Sequence, residues 1–165
     1  MKNQKFSIIP VAGLLILLMI FFIVGGCSWP SQKKVKDTES QIRNIVIKYN
    51  ETLPLAYAGE TEILNSVATE REIRRVELFK VQLADENKVI RVNTISLKVD
   101  KIERGSSESV TVNTVEIWEY RYLDSTTYKP LCEWKKIRYN AVYTLISSEQ
   151  GWLVDDINFE EELVT

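Results

Sequence analysis

The chain has 165 residues and a formal net charge of −2, with 21 Lys and Arg against 23 Asp and Glu. Its basic residues form no long block, which argues against a nucleic-acid partner. Histidine is absent, and this excludes Ser-His-Asp and Cys-His catalysis and every His-containing zinc site. The scattered glycines form no phosphate-binding loop, so we expect no cofactor, no metal and no enzyme activity, with carboxylate, tyrosine or lysine chemistry left open.

The N-terminus combines two lysines, a long apolar run and small residues before a cysteine. The run ends in Val24, Gly25, Gly26 and Cys27. A basic start, an apolar core and small residues at the end are the three parts of a secretory signal. With the cysteine directly after the small residues, the segment resembles the lipobox of bacterial lipoproteins. The resemblance implies cleavage before Cys27, a lipid such as palmitate on Cys27, and recognition of Val24, Gly25 and Gly26.

An uncleaved transmembrane helix is the alternative, because the apolar run approaches the roughly 20 residues that span a bilayer. Both interpretations place the chain from Ser28 onward outside the cytoplasm, since basic flanks are retained on the cytoplasmic side. We therefore expect residues 1–26 to be a lipoprotein signal peptide, residues 27–38 to be the lipidated cysteine and a tether, and residues 39–162 to be the folded domain. The expected location is the cell membrane or outer membrane, with the domain extracytoplasmic.

Apolar residues recur at three- and four-residue steps after Glu39 and predict an amphipathic helix. Its stripe consists of Ile42, Ile45, Val46, Tyr49 and Leu53. Pro54 is predicted to end or kink this helix, and a short helical piece follows after Gly59. Thr69 and Glu72 then fit a T-x-x-E capping box, which predicts the start of a third helix.

The third helix is predicted to have one apolar and one basic face. The apolar face carries Ile73, Val76, Phe79 and Leu83, and the basic face carries Arg71, Arg74, Arg75 and Lys80. We interpret the basic face as solvated, with i,i+4 pairing to neighbouring glutamates. A partner-binding patch is the alternative.

Alternation of apolar and polar residues after Lys88 predicts strands. The first covers residues 90–99, with a slip near Ile95 that we interpret as a bulge. Strands at 110–122, 135–146 and 152–157 follow. Cys132 is expected to be a small core residue in an apolar strand, and lipidation of Cys27 would leave no intrachain disulfide.

The hairpin from Tyr143 to Ile157 resembles the last two strands of the nuclear transport factor 2-like superfamily, in which an aromatic and aliphatic strand turns back into a W-x-V/I strand. The order of helices and strands over residues 39–159 is also similar, particularly to IMS-type domains of plastid and cyanobacterial division proteins. The resemblance implies an α+β cone, with the N-terminal helices packed on a curved antiparallel sheet around a cavity.

Some relatives, such as ketosteroid isomerase, hold a catalytic Asp and Tyr pair in the cavity, whereas others bind a ligand or fill it. Candidates here are Tyr120, Tyr122, Tyr139 and Tyr143, with Glu116 and Glu119. Aromatic strand residues usually serve packing, and no residue matches the isomerase pair, so we assign no catalytic residue. Glu116 and Glu119 are three positions apart, and strand alternation allows at most one of them to face the cavity. We also expect Trp152 to pack against the stripe of the first helix.

The sequence thus predicts a membrane-anchored envelope lipoprotein whose domain binds an envelope protein as a scaffold or accessory. One alternative is a pocket for a small molecule or for weak acid-base catalysis. Another is a single-pass transmembrane subunit of an envelope complex, and a homodimer is also open. An open cavity with a few convergent polar groups would favour a small ligand, and a cavity filled by bulky side chains would favour protein docking.

Overall fold

A computed structural model describes residues 32–106 and 108–163, with side chains from residue 38 to residue 160. The chain divides into two units, Met1–Val35 and Lys36–Thr165, and the sheet and core belong to the second. Val24, Gly25, Gly26 and Cys27 lie outside the described residues. Within the described part of the chain, no helix is both long and apolar enough to span a bilayer.

Two α-helices and one 3-10 helix precede the sheet. Helix α1 spans Gln32–Ala58, the 3-10 helix Thr61–Ser66, and helix α2 Glu70–Asp85. Helix α1 begins before Glu39, so part of the segment that we predicted as a tether is helical. The reason is that its Gln and Lys residues favour helix even without an apolar stripe.

Helix α1 also continues beyond Pro54, where the sequence predicted an end or a kink. Proline has no backbone N–H, so the Asn50 carbonyl one turn earlier loses its helical partner. The hydroxyl of Thr94, on the first strand, donates a hydrogen bond to that carbonyl at 3.3 Å. A tertiary hydrogen bond thus replaces the missing helical one.

Four antiparallel strands follow in chain order. They are β1 (Lys88–Arg104), β2 (Ser109–Asp124), β3 (Lys135–Ser148) and β4 (Gly151–Leu163). The sheet is open, with β1 and β4 at its edges. Register shifts interrupt β1 twice and β3–β4 once, and each such irregularity bends its strand. The shift between Thr94 and Ser96 confirms the bulge predicted near Ile95.

The helices cover one face of the sheet, and the predicted stripe of α1 forms the centre of the core. Ile42, Val46 and Tyr49 are fully buried there, whereas Ile45 is half-buried. Trp152 is also only half-buried and packs at the edge of this core. Trp152 lies directly after the turn that joins β3 to β4, at the edge of the sheet. The fully buried residues of β4 come later in the strand.

Cys132 lies in the loop between β2 and β3, and the prediction that it belongs to a core strand is wrong. It is half-buried, and its Sγ accepts a hydrogen bond from the Tyr122 N–H at 3.5 Å. Pro130 stands two residues before it and has no N–H for a strand ladder. Pro130 forms only an isolated bridge with Leu123, and the chain bends at the next two residues, so no strand continues here.

Candidate functional site

Glu116 lies at the centre of a buried polar network in the middle of β2. Its side chain is 0% exposed. Its Oε1 accepts hydrogen bonds from the hydroxyls of Tyr143 and Thr114, each at 2.7 Å, and its Oε2 accepts one from the Trp118 indole N–H at 2.8 Å. Thr114, Glu116 and Trp118 share the inward face of the strand because they alternate along it. Three donors compensate for the burial of the carboxylate.

The hydroxyl of Tyr143 connects this network to helix α1. Asn50 Nδ2 donates to that hydroxyl at 2.8 Å and to the Val46 carbonyl at 3.0 Å. Burial, together with the charge of Glu116, raises the pKa of Tyr143 well above its ordinary value. The hydroxyl therefore remains protonated and donates to Glu116 throughout the physiological pH range.

A second buried carboxylate, Glu72, lies beside the first network on helix α2. Its side chain accepts a hydrogen bond from the Tyr49 hydroxyl and pairs with Arg75 Nε at 2.7 Å. Arg75 also donates to the Ile157 carbonyl at 3.0 Å. The rings of Tyr49 and Tyr143 meet edge to face, with centroids 6.1 Å apart. The two carboxylates therefore belong to adjoining clusters that connect both helices to the sheet.

The position of Glu72 corrects one half of the predicted capping box. Thr69 caps α2 as expected, since its Oγ1 accepts from the Glu72 backbone N–H at 3.4 Å. The Glu72 side chain, however, is turned into the core and binds Tyr49. The Thr69 N–H donates instead to the Val154 carbonyl of β4 at 2.9 Å, so the start of α2 is bonded directly to the sheet.

The basic face of α2 contacts its neighbours more than the sequence predicted. Arg74 makes the expected i,i+4 pair with Glu70 at 3.2 Å. Arg71 instead pairs with Asp155 of β4 at 3.1 Å, and Lys80 donates to a carbonyl of α1 at 2.9 Å. These contacts give the basic face a structural role in holding α2 in place.

An apolar cavity of about 310 Å³ lies between the sheet and the two α-helices. This volume is at the lower end of the range of ligand pockets. Seven aromatic residues line it, namely Tyr57, Phe79, Trp118, Tyr120, Tyr122, Tyr139 and Phe159, together with Leu53, Ile90, Val92 and Ile137. We call it the aromatic cavity.

The structure divides the predicted candidates between the cavity and the network. Tyr120, Tyr122 and Tyr139 line the aromatic cavity, whereas Tyr143 belongs to the buried network. Trp118 connects the two, since its ring lines the cavity and its N–H binds Glu116. Glu116 itself is sealed behind Trp118 and does not line the cavity.

Glu119 lies on the other face of β2, where its Oε1 accepts from Asn93 Nδ2 at 2.9 Å. The prediction that at most one of Glu116 and Glu119 faces inward is therefore confirmed. Burial raises the pKa of Tyr57, in the cavity wall, to about 12, and its hydroxyl is therefore neutral at physiological pH. Among the described residues, no group of Cys, Asp and Glu side chains could hold a metal ion.

The sequence analysis missed the roles of Asn50, Glu72 and Tyr57. Asn50 is 2% exposed, although the predicted apolar stripe of the first helix does not include it. Its position four residues after Val46 was a usable signal, because i,i+4 neighbours lie on the same helix face. The burial of Glu72 had no comparable signal, because its partner Tyr49 lies in another helix.

No protein-family model and no curated protein matches the sequence. Among solved structures, the intermembrane space region of chloroplast protein ARC6 is similar, with a TM-score of 0.64 and 17% identity over 74% of this chain and 96% of that chain. An NTF2-like superfamily protein from Salmonella enterica serovar Typhimurium LT2 has a TM-score of 0.54 and 9% identity over 79% and 95%. Kfla4162 from Kribbella flavida has a TM-score of 0.50 and 9% identity over 78% and 95%.

The domain has a nuclear transport factor 2-like fold. The helices on one face of an antiparallel sheet, as predicted, agree with these neighbours in architecture. At such low identity the likeness concerns the fold alone, since one fold serves many functions.

Proposed function

We propose that this protein is a membrane-anchored cell-envelope lipoprotein, lipidated at Cys27, whose extracytoplasmic IMS-type domain binds a protein partner through the aromatic cavity. The anchor rests on the lipobox-like residues Val24, Gly25 and Gly26 before that cysteine. The choice of partner class rests on the shape of the apolar surface around the cavity.

Three adjoining cavities share the ring of Tyr57, and this observation carries the proposal. A second cavity of about 300 Å³ adjoins the aromatic cavity at Phe79 and Phe159, and a third of about 310 Å³ adjoins it at Ile90. Together they form a largely apolar surface that is shared by α1, α2 and the sheet. An extended peptide segment with several apolar side chains fits such a surface better than one compact small molecule does.

The border of this surface is exposed and apolar. Phe159 is 37% exposed and Val81, beside the third cavity, is 57% exposed. Apolar and tyrosine-rich patches of this kind mark protein interfaces, where large rings provide contact area at low entropic cost.

Crosslinking in the cells that make the protein tests the proposal. A photoreactive phenylalanine analogue would replace Phe159 in the full chain. The matched control carries it at Val142, which has the same exposure of 37% but lies on the opposite face of the sheet. We expect one defined protein adduct from position 159 and none of that mass from position 142. Equal adducts from both positions would contradict the proposal.

A small apolar ligand is the second candidate, because the aromatic cavity is open and large enough for one. Native mass spectrometry of the protein purified from its own cells separates the two candidates. A bound species of small mass that Val92→Trp removes would favour the ligand. Loss of the position-159 adduct in the same variant, with no small species bound to the unsubstituted protein, favours the protein partner.

Acid-base catalysis would use the carboxylate of Glu116 and the hydroxyl of Tyr143, which are paired at 2.7 Å. The carboxylate already accepts three hydrogen bonds and is closed off from the cavity by Trp118. We therefore propose that Glu116→Gln retains partner binding and cellular function. Loss of function in a variant that remains folded by circular dichroism would favour catalysis.

A further inference from the structure

The outer face of the sheet, turned away from the helices, carries two arginines directly opposite each other. Arg91 of β1 and Arg121 of β2 are partners in the antiparallel register. Both face outward, because their neighbours Ile90 and Tyr122 line the aromatic cavity on the inner face. Like charges at directly opposed positions destabilise an antiparallel pair. A negative charge beside the two arginines would therefore reduce their repulsion.

No carboxylate of the described residues provides that charge. Neither Arg91 nor Arg121 forms an ion pair with an Asp or Glu in residues 38–106 and 108–160. Glu119, the next outward residue of β2, is hydrogen-bonded to Asn93 instead. Arg121 Nε is buried and finds no acceptor in that part of the chain. A buried donor of a charged group without an acceptor is costly.

The Arg121 guanidinium lies over the ring of Trp134. The guanidinium carbon lies 4.6 Å from the centroid of the Trp134 ring. When a guanidinium stacks on an aromatic face, its N–H donors lie in the guanidinium plane. An acceptor can then approach them from the edge of that plane. This cation–π contact holds the group, and none of its N–H donors has an acceptor among the side chains and backbone of the described residues.

We propose that Arg91 and Arg121 bind a phosphate group on the outer face of the sheet, with Trp134 orienting Arg121. Guanidinium groups bind oxyanions with two parallel hydrogen bonds each. A phosphate dianion neutralises both arginines, whereas a single carboxylate would leave one positive charge over. A group of this charge belongs either to a soluble phosphate compound or to a phospholipid with a phosphomonoester headgroup, because a phosphodiester carries only one negative charge. This site is separate from the aromatic cavity, which lies on the opposite face.

Titration of the full chain, purified in a phosphate-free non-ionic detergent, with inorganic phosphate tests the proposal. The readouts are the NMR signals of the Arg121 Nε–H and the Trp134 indole N–H, with sodium chloride at matched ionic strength as the reference. We expect a saturable shift of both signals with phosphate only. Arg91→Gln and Arg121→Gln should each weaken phosphate binding by at least about tenfold, as the loss of a charge-assisted contact requires.

Arg104→Gln is the matched control, because Arg104 is an exposed arginine at the other end of β1 and the charge change is the same. It should leave phosphate affinity unchanged within about twofold, as for an independent distant site. Equal weakening by Arg104→Gln, an equal response to chloride, or a response that does not saturate would overturn the proposal.

Nanodiscs in phosphate-free buffer identify the source of the phosphate. Shifts of the same two signals in nanodiscs that contain phosphatidic acid would place the group on a lipid headgroup. Shifts with inorganic phosphate but none in nanodiscs would place it on a soluble compound. The absence of a shift in both arms would refute the site.

Discussion

Removing one hydroxyl from the core tests the buried network directly. In Tyr143→Phe the ring remains, but Glu116 loses the donor at 2.7 Å and Asn50 Nδ2 loses the acceptor at 2.8 Å. A hydrogen bond to a buried charged group contributes about 1.5–3 kcal/mol. Because Asn50 keeps its bond to the Val46 carbonyl, we expect the free energy of unfolding to fall by about 2–3 kcal/mol.

That loss corresponds to a fall of roughly 10 °C in the melting temperature for a domain of this size. The matched control is Tyr120→Phe, which removes the same atom from a cavity-lining residue of β2 whose hydroxyl has no hydrogen bond in the described part of the chain. The control should change the free energy of unfolding by less than about 0.5 kcal/mol. Urea denaturation of both variants, with unchanged m-values, measures the difference. Equal stabilities for the two variants would refute the role of Tyr143.

Three further predictions concern the helix, the cavity and the anchor. Thr94→Val removes the donor to the Asn50 carbonyl and should lower the free energy of unfolding by about 1 kcal/mol. Thr94→Ser keeps the hydroxyl and should leave the free energy of unfolding unchanged. Equal urea midpoints for the two variants would contradict the role of the Thr94 hydroxyl. The folded-state pKa of Tyr57, about 12, exceeds the ordinary value of about 10. The contribution of Tyr57 to the free energy of unfolding is therefore fully present below about pH 10 and is lost as the pH rises towards 12. Tyr57→Phe should flatten that fall in denaturation curves, and an unchanged slope would argue against it. Mass spectrometry should find a lipid-modified N-terminal Cys27, and an intact N-terminus from Met1 on the membrane-bound protein would show an uncleaved anchor instead.

Periodicity alone predicted the order of helices and strands, the inward stripe of α1 and the bulge near Ile95, because these follow from local side-chain spacing. The alternative in which the helix ends at Pro54 is wrong, because α1 continues to Ala58 and Thr94, a residue far along the chain, donates to the Asn50 carbonyl that the proline leaves without a helical partner. A local rule cannot include a tertiary donor. The early start of α1 and the loop position of Cys132 were missed for local reasons, namely the helix propensity of residues without an apolar stripe and the proline at position 130.

In the candidate site, too, local spacing predicted some features, whereas tertiary contacts determine the others. The alternation of Glu116 and Glu119 correctly placed one carboxylate inside and one outside, because strand geometry fixes it. Glu72 was assigned to a cap because its spacing from Thr69 fits one, but the hydroxyl of Tyr49 and the guanidinium of Arg75 hold it in the core. The opposition of arginines on the outer face depends on strand register, which residue spacing within one strand does not reveal.

The central claim is that the aromatic cavity receives the partner, and the yield of the position-159 crosslink in a cavity-filled background tests it most directly. Val92→Trp places a larger side chain in the cavity wall, and Val142→Trp places the same side chain on the outer face as a control. Both variants should keep a cooperative melting transition, which would show that they fold. The account predicts that Val92→Trp abolishes the crosslink and that Val142→Trp leaves it intact. An undiminished crosslink in folded Val92→Trp protein would contradict the claim.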